Sequence, residues 1–320
     1  QPTWDSATYI TLAKSLVSGD GYTYMGYDHT KYPPGFPLML APIVAMFGRS
    51  FLLMRCLEAA CAVAAIGVAY ALLRRAAGVG IMAAAATMTA ASYALLFEAT
   101  RILSDLPYML VSLVALLAIE RLRLARSRRL LVIATCLCIA AYLTRIVGIA
   151  LALAAAISFL CDAPRRPLRK SARDAAILLG CASLVVAAWM GRNALARHQL
   201  PPTLREALSY ERELVVANPS DLQGGSVGLK AFGGRLVTNG RYYAEMTARL
   251  LTSKRSARKA LALVVVAGWA CVAVWRRTSV EWYFAGYIAI YLIWPAHQGE
   301  RFLVPALPLI YYYGLRGVSE

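Results

Sequence analysis

Long apolar runs separated by short arginine-rich turns recur from residue 51 to the end of this chain. Runs near 51–73, 79–97, 104–120, 130–144, 146–161, 174–190, 260–275, 282–294 and 302–315 each read as a helix able to enter a bilayer. That makes nine candidate spans, several of them short. Composition agrees: 59% of the 320 residues are hydrophobic, 16% are charged and the mean hydropathy is +0.55. A soluble domain is nearer about 45–50% apolar and about 25% charged. The expected fold is therefore all-α, a polytopic transmembrane helical bundle with juxtamembrane helices on its outer face. Disordered, collagen-like and disulfide-scaffold classes are excluded.

The net charge of +17 would point to nucleic acid on a soluble protein, but its placement points elsewhere. Arg74 and Arg75 end the first run, and Arg121, Arg123, Arg126, Arg128 and Arg129 follow the third. Arg165, Arg166, Arg169, Lys170 and Arg173 follow the fifth, Arg276 and Arg277 the seventh, and Arg316 the ninth. The alternate short connections hold Arg101, Arg145 and Arg301, one each. Under the positive-inside rule the first set is cytoplasmic, and the anionic inner face of a membrane accounts for it. No basic stripe interleaved with aromatics exists, so no nucleic-acid partner is expected. Trp189, Trp275, Trp282 and Trp294 fall at span ends, as an aromatic belt would place them. A charge at mid-bilayer costs several kcal/mol, so the 130–161 stretch is expected to turn at Thr144-Arg145. The run Phe36–Phe47 is too short to span and is assigned to the interface.

Four regions follow. Residues 1–50 form a first extracytoplasmic loop with amphipathic helices, 51–190 are transmembrane helices, 191–258 an extracytoplasmic loop, and 259–320 the C-terminal transmembrane helices. The long loop is polar, glycine-rich at Gly224-Gly225 and Gly233-Gly234, and basic at Lys254, Arg255, Arg258 and Lys259. It reads equally as a lid or as surface helices. The chain opens at Gln1 with polar residues and no signal peptide, so a first span is expected ahead of it. The seven cysteines (Cys56, Cys61, Cys136, Cys138, Cys161, Cys181 and Cys271) lie in or beside apolar runs with no ligand spacing, and read as small buried hydrophobes. Arginine over lysine, with abundant alanine, points to a GC-rich bacterial genome and its inner membrane.

Nearly every informative polar group falls on the outer side. Residues 7–17 read as an amphipathic helix with Ile10, Ala13, Leu16 and Val17 on one face, Asp5 and Ser6 at its start and Gly19 after its end. Tyr22, Tyr24, Tyr27, Asp28, His29 and Lys31 lead into the rigid segment Tyr32–Pro37. Later turns carry Arg101, Ser104 and Asp105, then Thr144-Arg145, Arg192-Asn193 and His297–Arg301. A bundle would bring these turns to one aqueous face, setting one or two carboxylates among several cations. Sugar transfer from a polyprenyl-phosphate carrier needs that set. Its phosphate leaving group departs without protonation, so one base suffices to take the acceptor's hydroxyl proton. Fixed cations hold the phosphate as charge develops. A glycosidase would need a second carboxylate as acid.

The ordered motifs Asp5, Lys31-Tyr32-Pro33-Pro34-Gly35-Phe36-Pro37-Leu38, Ser104-Asp105-Leu106-Pro107, Thr144-Arg145-x-x-Gly148, Arg192-Asn193 and Glu300-Arg301-Phe302-Leu303-Val304-Pro305 resemble the GT-C glycosyltransferases. The branch they resemble is the protein O-mannosyltransferase, aminoarabinose transferase and Rgt-like group. The resemblance implies an inverting membrane glycosyltransferase taking a polyprenyl-phosphate sugar as donor substrate, with membrane lipid and a glycan, lipid or protein acceptor as partners. It maps the catalytic acid of the first outer loop onto Asp5, and the lipid-phosphate contact beside the proline pair onto Lys31. Many members carry a second acidic residue where this chain has Ser6, so no metal or other cofactor is expected. Arg145 and Arg301 join Lys31 as donor phosphate contacts. Tyr32, Arg101, Asp105, Arg192 and Glu300 are assigned to substrate positioning.

Blander readings compete. Asp5 reads also as a helix N-cap, and the outer cations as snorkelling residues. Arg101 and Asp105, spaced i, i+4, read as a mutual pair, as do Arg55 and Glu58. His29, His198 and His297 match no zinc motif. The tyrosines of 22–32 suit a sugar site or an interface equally, and Tyr311–Tyr313 suit the belt. A transporter or flippase for a lipid-linked or anionic solute is the rival function. Such folds favour internal repeats and midplane charges, and neither is visible.

Overall fold

The computed structural model describes residues 4–125, 127–161, 167–216 and 225–319. Gln1, Arg126, Arg165, Arg166 and Gly224, which enter the readings above, lie outside the described residues.

Helix α1 (Trp4–Ser18) opens the chain, ended by Gly19 at φ 81°. A two-stranded antiparallel hairpin follows, β1 (Thr23–Tyr24) and β2 (Tyr27–Asp28), the one departure from all-α among the described residues. Its turn residues Met25 and Gly26 both have positive φ, 54° and 83°, the geometry whose twist suits a tight hairpin. Helix α2 (Gly35–Phe47) then packs against α1. The bundle follows as α3 (Phe51–Ala77), α4 (Val79–Ala90), α5 (Tyr93–Ala99), α6 (Asp105–Ala125), α7 (Arg128–Thr144), α8 (Ile149–Cys161) and α9 (Leu168–Arg197). Two short helices, α10 (Pro202–Ala207) and α11 (Tyr210–Val215), precede α12 (Leu229–Leu251), α13 (Arg258–Arg276) and α14 (Ser279–Ile293). A 3₁₀ helix, Gly299–Ala306, leads into α15 (Leu307–Ser319).

Every apolar run of the sequence lies in helix, and the protein is a multi-pass membrane protein. Nine full spans are not what the helices offer. By length and apolar composition α3, α9 and the Arg255–Arg276 segment can each cross a bilayer, and α4 with α5, bent by 52°, make a fourth. Burial explains the remainder. Helix α6 carries Asp105 at one end and Glu120, Arg121 and Arg123 near the other, yet packs closely against both α3 and α7. A helix ringed by protein is released from the need for a long, uncharged apolar stretch.

Several local readings change for the same reason, since in lipid both faces of a helix can be apolar. Tyr311, Tyr312 and Tyr313 are buried in the bundle, not set in a belt. Only Cys61 and Cys138 are buried; the other five cysteines face outward, and all seven are unpaired. In α1 the buried face holds Ser6, Tyr9, Ile10, Leu12, Ala13 and Ser15, while Val17 is exposed, because α1 packs on α2 with polar residues turned toward the site. The helix expected to end near 190 continues to Arg197. Surface helices occupy much of the long loop. In α12, Asn239 Nδ2 donates to the backbone oxygens of Leu292 and Trp294 at 2.8 and 2.7 Å, satisfying carbonyls at the end of α14.

Two close approaches set the end of the bundle at Arg145. A Cβ on Gly35 would lie 2.6 Å from the Leu143 carbonyl oxygen, and one on Gly148 would lie 2.5 Å from the Ala141 carbonyl carbon. Helix α7 ends at Thr144, Arg145 is extended (φ −149°, ψ 137°), and a 3₁₀ turn at Ile146–Gly148 starts the next segment. The chain thus breaks at Arg145, as expected. Gly35 and Gly148 clamp the Pro33-Pro34 corner and the Arg145 turn onto one helix end. Gly35→Ala must push backbone apart, so it should cost about 1–3 kcal/mol and lower the thermal unfolding midpoint in detergent. An unchanged midpoint would show that the contact is slack.

Candidate functional site

Asp105, at the start of α6, is buried, its side chain 1% exposed. Arg145 Nη1 lies 2.6 Å from its Oδ1, and Arg301 Nε donates to Oδ2 at 3.0 Å. Arg301 Nη1 also donates to Asp5 Oδ2 at 2.7 Å and to Gln298 Oε1 at 2.7 Å. The Tyr32 hydroxyl donates to Asp5 Oδ1 at 2.8 Å. Arg145 further donates to Ser104 Oγ at 3.3 Å, and Ser104 shares a hydrogen bond with Tyr9 at 3.1 Å. Four segments thereby meet at the start of α6: α1, the Tyr32 corner, the Arg145 turn and the 3₁₀ helix.

Asp5 sits in the first turn of α1, and its carboxylate turns to Arg301 and Tyr32 instead of acting as a cap. Burial alone would raise its pKa. The charge and hydrogen bond of Arg301, the Tyr32 hydrogen bond and the charge of Arg145 outweigh burial and hold Asp5 below the ordinary carboxylate value. Asp5 is therefore ionised at neutral pH.

Above this cluster lies a cavity of about 280 Å³. Asp5, Lys31, Tyr32, Arg145 and Arg301 all line it, so five of the sequence-derived site residues share one space. Its other walls are largely apolar or aromatic: Tyr9, Ile146, Val147, Ile290, Tyr291, Trp294 and Phe302. Tyr210 and Glu213 of α11 close it from the long loop. Glu213 forms an ion pair with Lys31, and the Lys31 ammonium lies 5.4 Å from the centre of the Tyr210 ring. Tyr210 packs edge-on against Trp294 at 5.4 Å, so Trp294 is a wall of the cavity as well as a span end.

The other candidates lie elsewhere. Asp105 lies beneath the cavity, holding two of its arginines. Arg101 does not pair with Asp105: it lies on Glu98 at 3.0 Å, and both line a neighbouring cavity with Glu300. Glu58 does not pair with Arg55 but accepts a hydrogen bond from the Leu103 amide at 3.0 Å. Arg192 lines neither cavity. It grips the hairpin, pairing with Asp28 at 2.8 Å and donating to the His29 carbonyl, while Asn193 Nδ2 donates to the Thr30 carbonyl at 2.8 Å. His29 is structural too: its Nε2 accepts the Tyr32 amide at 2.9 Å. Burial, with Arg192 and Lys31 nearby, lowers its pKa to about 3. Among the described residues no group of three or more His, Cys, Asp or Glu gathers where it could hold a metal ion.

Tyr9, Tyr210, Glu213 and Tyr291 were not singled out from sequence. Tyr9 lies on the α1 helix that was read only for its aliphatic face. Glu213 lies in the long loop, where no motif marked it.

The helical bundle with this charged cluster is of the GT-C type. The sequence profile of the dolichyl-phosphate-mannose-protein mannosyltransferases matches residues 31–190, half of the chain, and the chain belongs to that family. Among solved structures it is similar to the archaeal oligosaccharyltransferase AglB from Archaeoglobus fulgidus, solved with an inhibitory peptide and a dolichol-phosphate. The TM-score is 0.56 at 15% identity, over 99% of this chain and 46% of the other. The chain therefore spans less than half the length of that relative, and the likeness is one of fold. No curated protein sequence matches it.

Removing one partner of a buried pair costs about 3–5 kcal/mol, because a charge is left uncompensated. Asp105→Asn strands two arginines at a 1%-exposed position, whereas Asp5 is 22% exposed. Thermal unfolding in detergent should therefore fall further for Asp105→Asn than for Asp5→Asn; the reverse order would refute Asp105 as the anchor.

Proposed function

We propose that this protein transfers a sugar from a polyprenyl-phosphate donor to an acceptor hydroxyl on the extracytoplasmic face of a bacterial inner membrane, with inversion. Family membership supports the donor class. The observation that carries the chemistry is the sharing of one half-apolar cavity by Asp5 with Lys31, Arg145 and Arg301. The apolar and aromatic walls accept the start of the lipid tail, and the cations face its phosphate.

Asp5 takes the proton of the acceptor hydroxyl. The acceptor oxygen bonds to the anomeric carbon as the bond from that carbon to the phosphate oxygen breaks, and the electron pair leaves with the polyprenyl phosphate. Arg145 and Arg301, held by Asp105, already point where negative charge grows, so little reorganisation is needed. Tyr32 and Arg301 fix the Asp5 rotamer. A carboxylate with a depressed pKa is a weak base, and this suits a reaction whose leaving group needs no proton: Asp5 orients the hydroxyl and takes its proton late.

Charge is balanced around the cavity. Lys31, Arg145 and Arg301 face Asp5, Asp105 and Glu213. A donor phosphodiester carries one negative charge and replaces Glu213 on Lys31 without altering that balance. Glu213→Gln should therefore bind polyprenyl phosphate several-fold more tightly, read by titration of the labelled lipid in nanodiscs. Weaker binding would mean that Glu213 supports the site and does not compete for it.

Asp5→Asn keeps the shape of the side chain and removes its charge, and transfer of labelled sugar should fall by about 100-fold or more with the fold retained. Full activity would remove Asp5 from this role. The active form of Asp5 is deprotonated, so the rate falls only as pH drops through its folded pKa. That value lies below 3.8, and no acid limb from Asp5 is expected between pH 5 and 8. Tyr32→Phe deletes a hydrogen bond to the charged form and shifts the limb upward. A kcat/KM profile measures both.

A further inference from the structure

A second cavity, of about 320 Å³, opens beside the first between α5, α12 and the 3₁₀ helix. Gln298 and Arg301 line both spaces. Arg301 reaches through this partition to Asp5, while its bond to Gln298 closes the wall. The two cavities are separated by the thickness of side chains, with the proposed base on one side.

We infer that this second cavity receives the acceptor, and that its chemistry suits a saccharide. The inference rests on the transferase reading above and names the acceptor that reading left open. Glu98 is 4% exposed and lines the cavity. Its Oε1 accepts from Arg101 at 3.0 Å, but Oε2 is buried with no hydrogen-bond partner in the protein. A buried carboxylate oxygen is costly unless a donor meets it, and a ligand hydroxyl supplies one. Arg101 and Arg249 stand on the same walls with donors of their own, alongside Glu300. Donors and acceptors thus alternate, as vicinal hydroxyls require, since each hydroxyl both gives and takes a hydrogen bond.

At the rim, Tyr93 and Phe97 are stacked at 5.9 Å with 19° between their planes, and are 75% and 47% exposed. They offer flat apolar faces beside the polar cluster. A peptide would draw most of its affinity from a strand edge or a helix groove. The strands among the described residues are the two of the 23–28 hairpin, which lines neither cavity.

The test uses the full chain in lipid nanodiscs, with ligand binding followed by saturation-transfer NMR so that no turnover is needed. The probes are a methyl hexoside, its disaccharide, and a peptide carrying serine and threonine. The saccharides should receive saturation from the wild type. Glu98→Gln and Arg249→Gln should each weaken that binding about tenfold, as expected for loss of a charge-assisted hydrogen bond. Arg249 is exposed, so its variant keeps the result readable if Glu98→Gln folds poorly. Polyprenyl-phosphate binding should be unchanged in both variants. Saccharide binding indifferent to both variants overturns the inference, as does peptide binding that depends on Glu98 in place of saccharide binding. Saccharide binding that depends on these residues, without any transfer from a polyprenyl donor, would uphold the cavity and defeat the transferase reading. Transfer to a saccharide at wild-type acceptor KM in both variants would do the opposite.

Discussion

The carboxylate of Asp105 is the fixed point of the face of the bundle that carries the charged cluster. It belongs to α6, the helix packed between α3 and α7, and its two oxygens engage guanidinium groups from the end of α7 and from the segment before α15. Neither arginine can stay dry at these depths without a counter-charge, so their positions are set jointly. Once Arg301 is placed, Asp5 is placed with it, and through Asp5 the Tyr32 corner. A single buried charge therefore ties together pieces of chain separated by nearly the full length of the sequence. The same pairing keeps the arginines from collapsing onto Asp5 with both of their donor faces, which leaves the rest of that carboxylate open to the cavity.

The fold was legible where periodicity and charge placement bore on it. Apolar runs located the bundle helices, and the cost of a buried charge located the break at Arg145. The meeting of the outer turns followed from alternation of the basic clusters, because one consistent topology brings Arg145 and Arg301 to the side of Asp5. The family resemblance read from Lys31–Leu38, Ser104–Pro107 and Thr144–Gly148 lies within the stretch that the family profile matches. Asp5 and Arg301 lie outside that stretch, and the structure places them in the same cavity as Lys31.

What stayed hidden has physical causes. Sequence spacing offers Arg101 to Asp105 at i, i+4, but Glu98 at i−3 competes, and Arg101 lies in the link between α5 and α6, off the helix that carries Asp105. A rule for pairs along one helix fails when a helix boundary falls between them. Span number was read from apolar runs alone: length and apolar composition support three spans, or four with the bent α4–α5 pair, because several runs, those of α8 and α14 among them, make helices too short to cross a bilayer by themselves. The buried face of α1 was read only in part: Ile10 and Ala13 are inside as expected, Tyr9 packs with them against Phe36, Ser15 turns inward to hydrogen-bond Gly21 and Thr23, and Val17 is left outside.

Lys31 shows how far a working side chain depends on groups that never touch the cavity. Its loop is gripped by Arg192 and Asn193 from the end of α9, through the carbonyls of His29 and Thr30. The His29 ring then receives the Tyr32 amide, and the Tyr22 hydroxyl donates to the Tyr32 carbonyl at 2.9 Å. With its backbone bonded on both sides, the corner that carries Lys31 is held in place. The positional precision of the cavity therefore comes from backbone bonds made behind it. That division explains why α9 runs a turn and more beyond its apolar stretch: the extra length carries the arginine and asparagine that hold the loop.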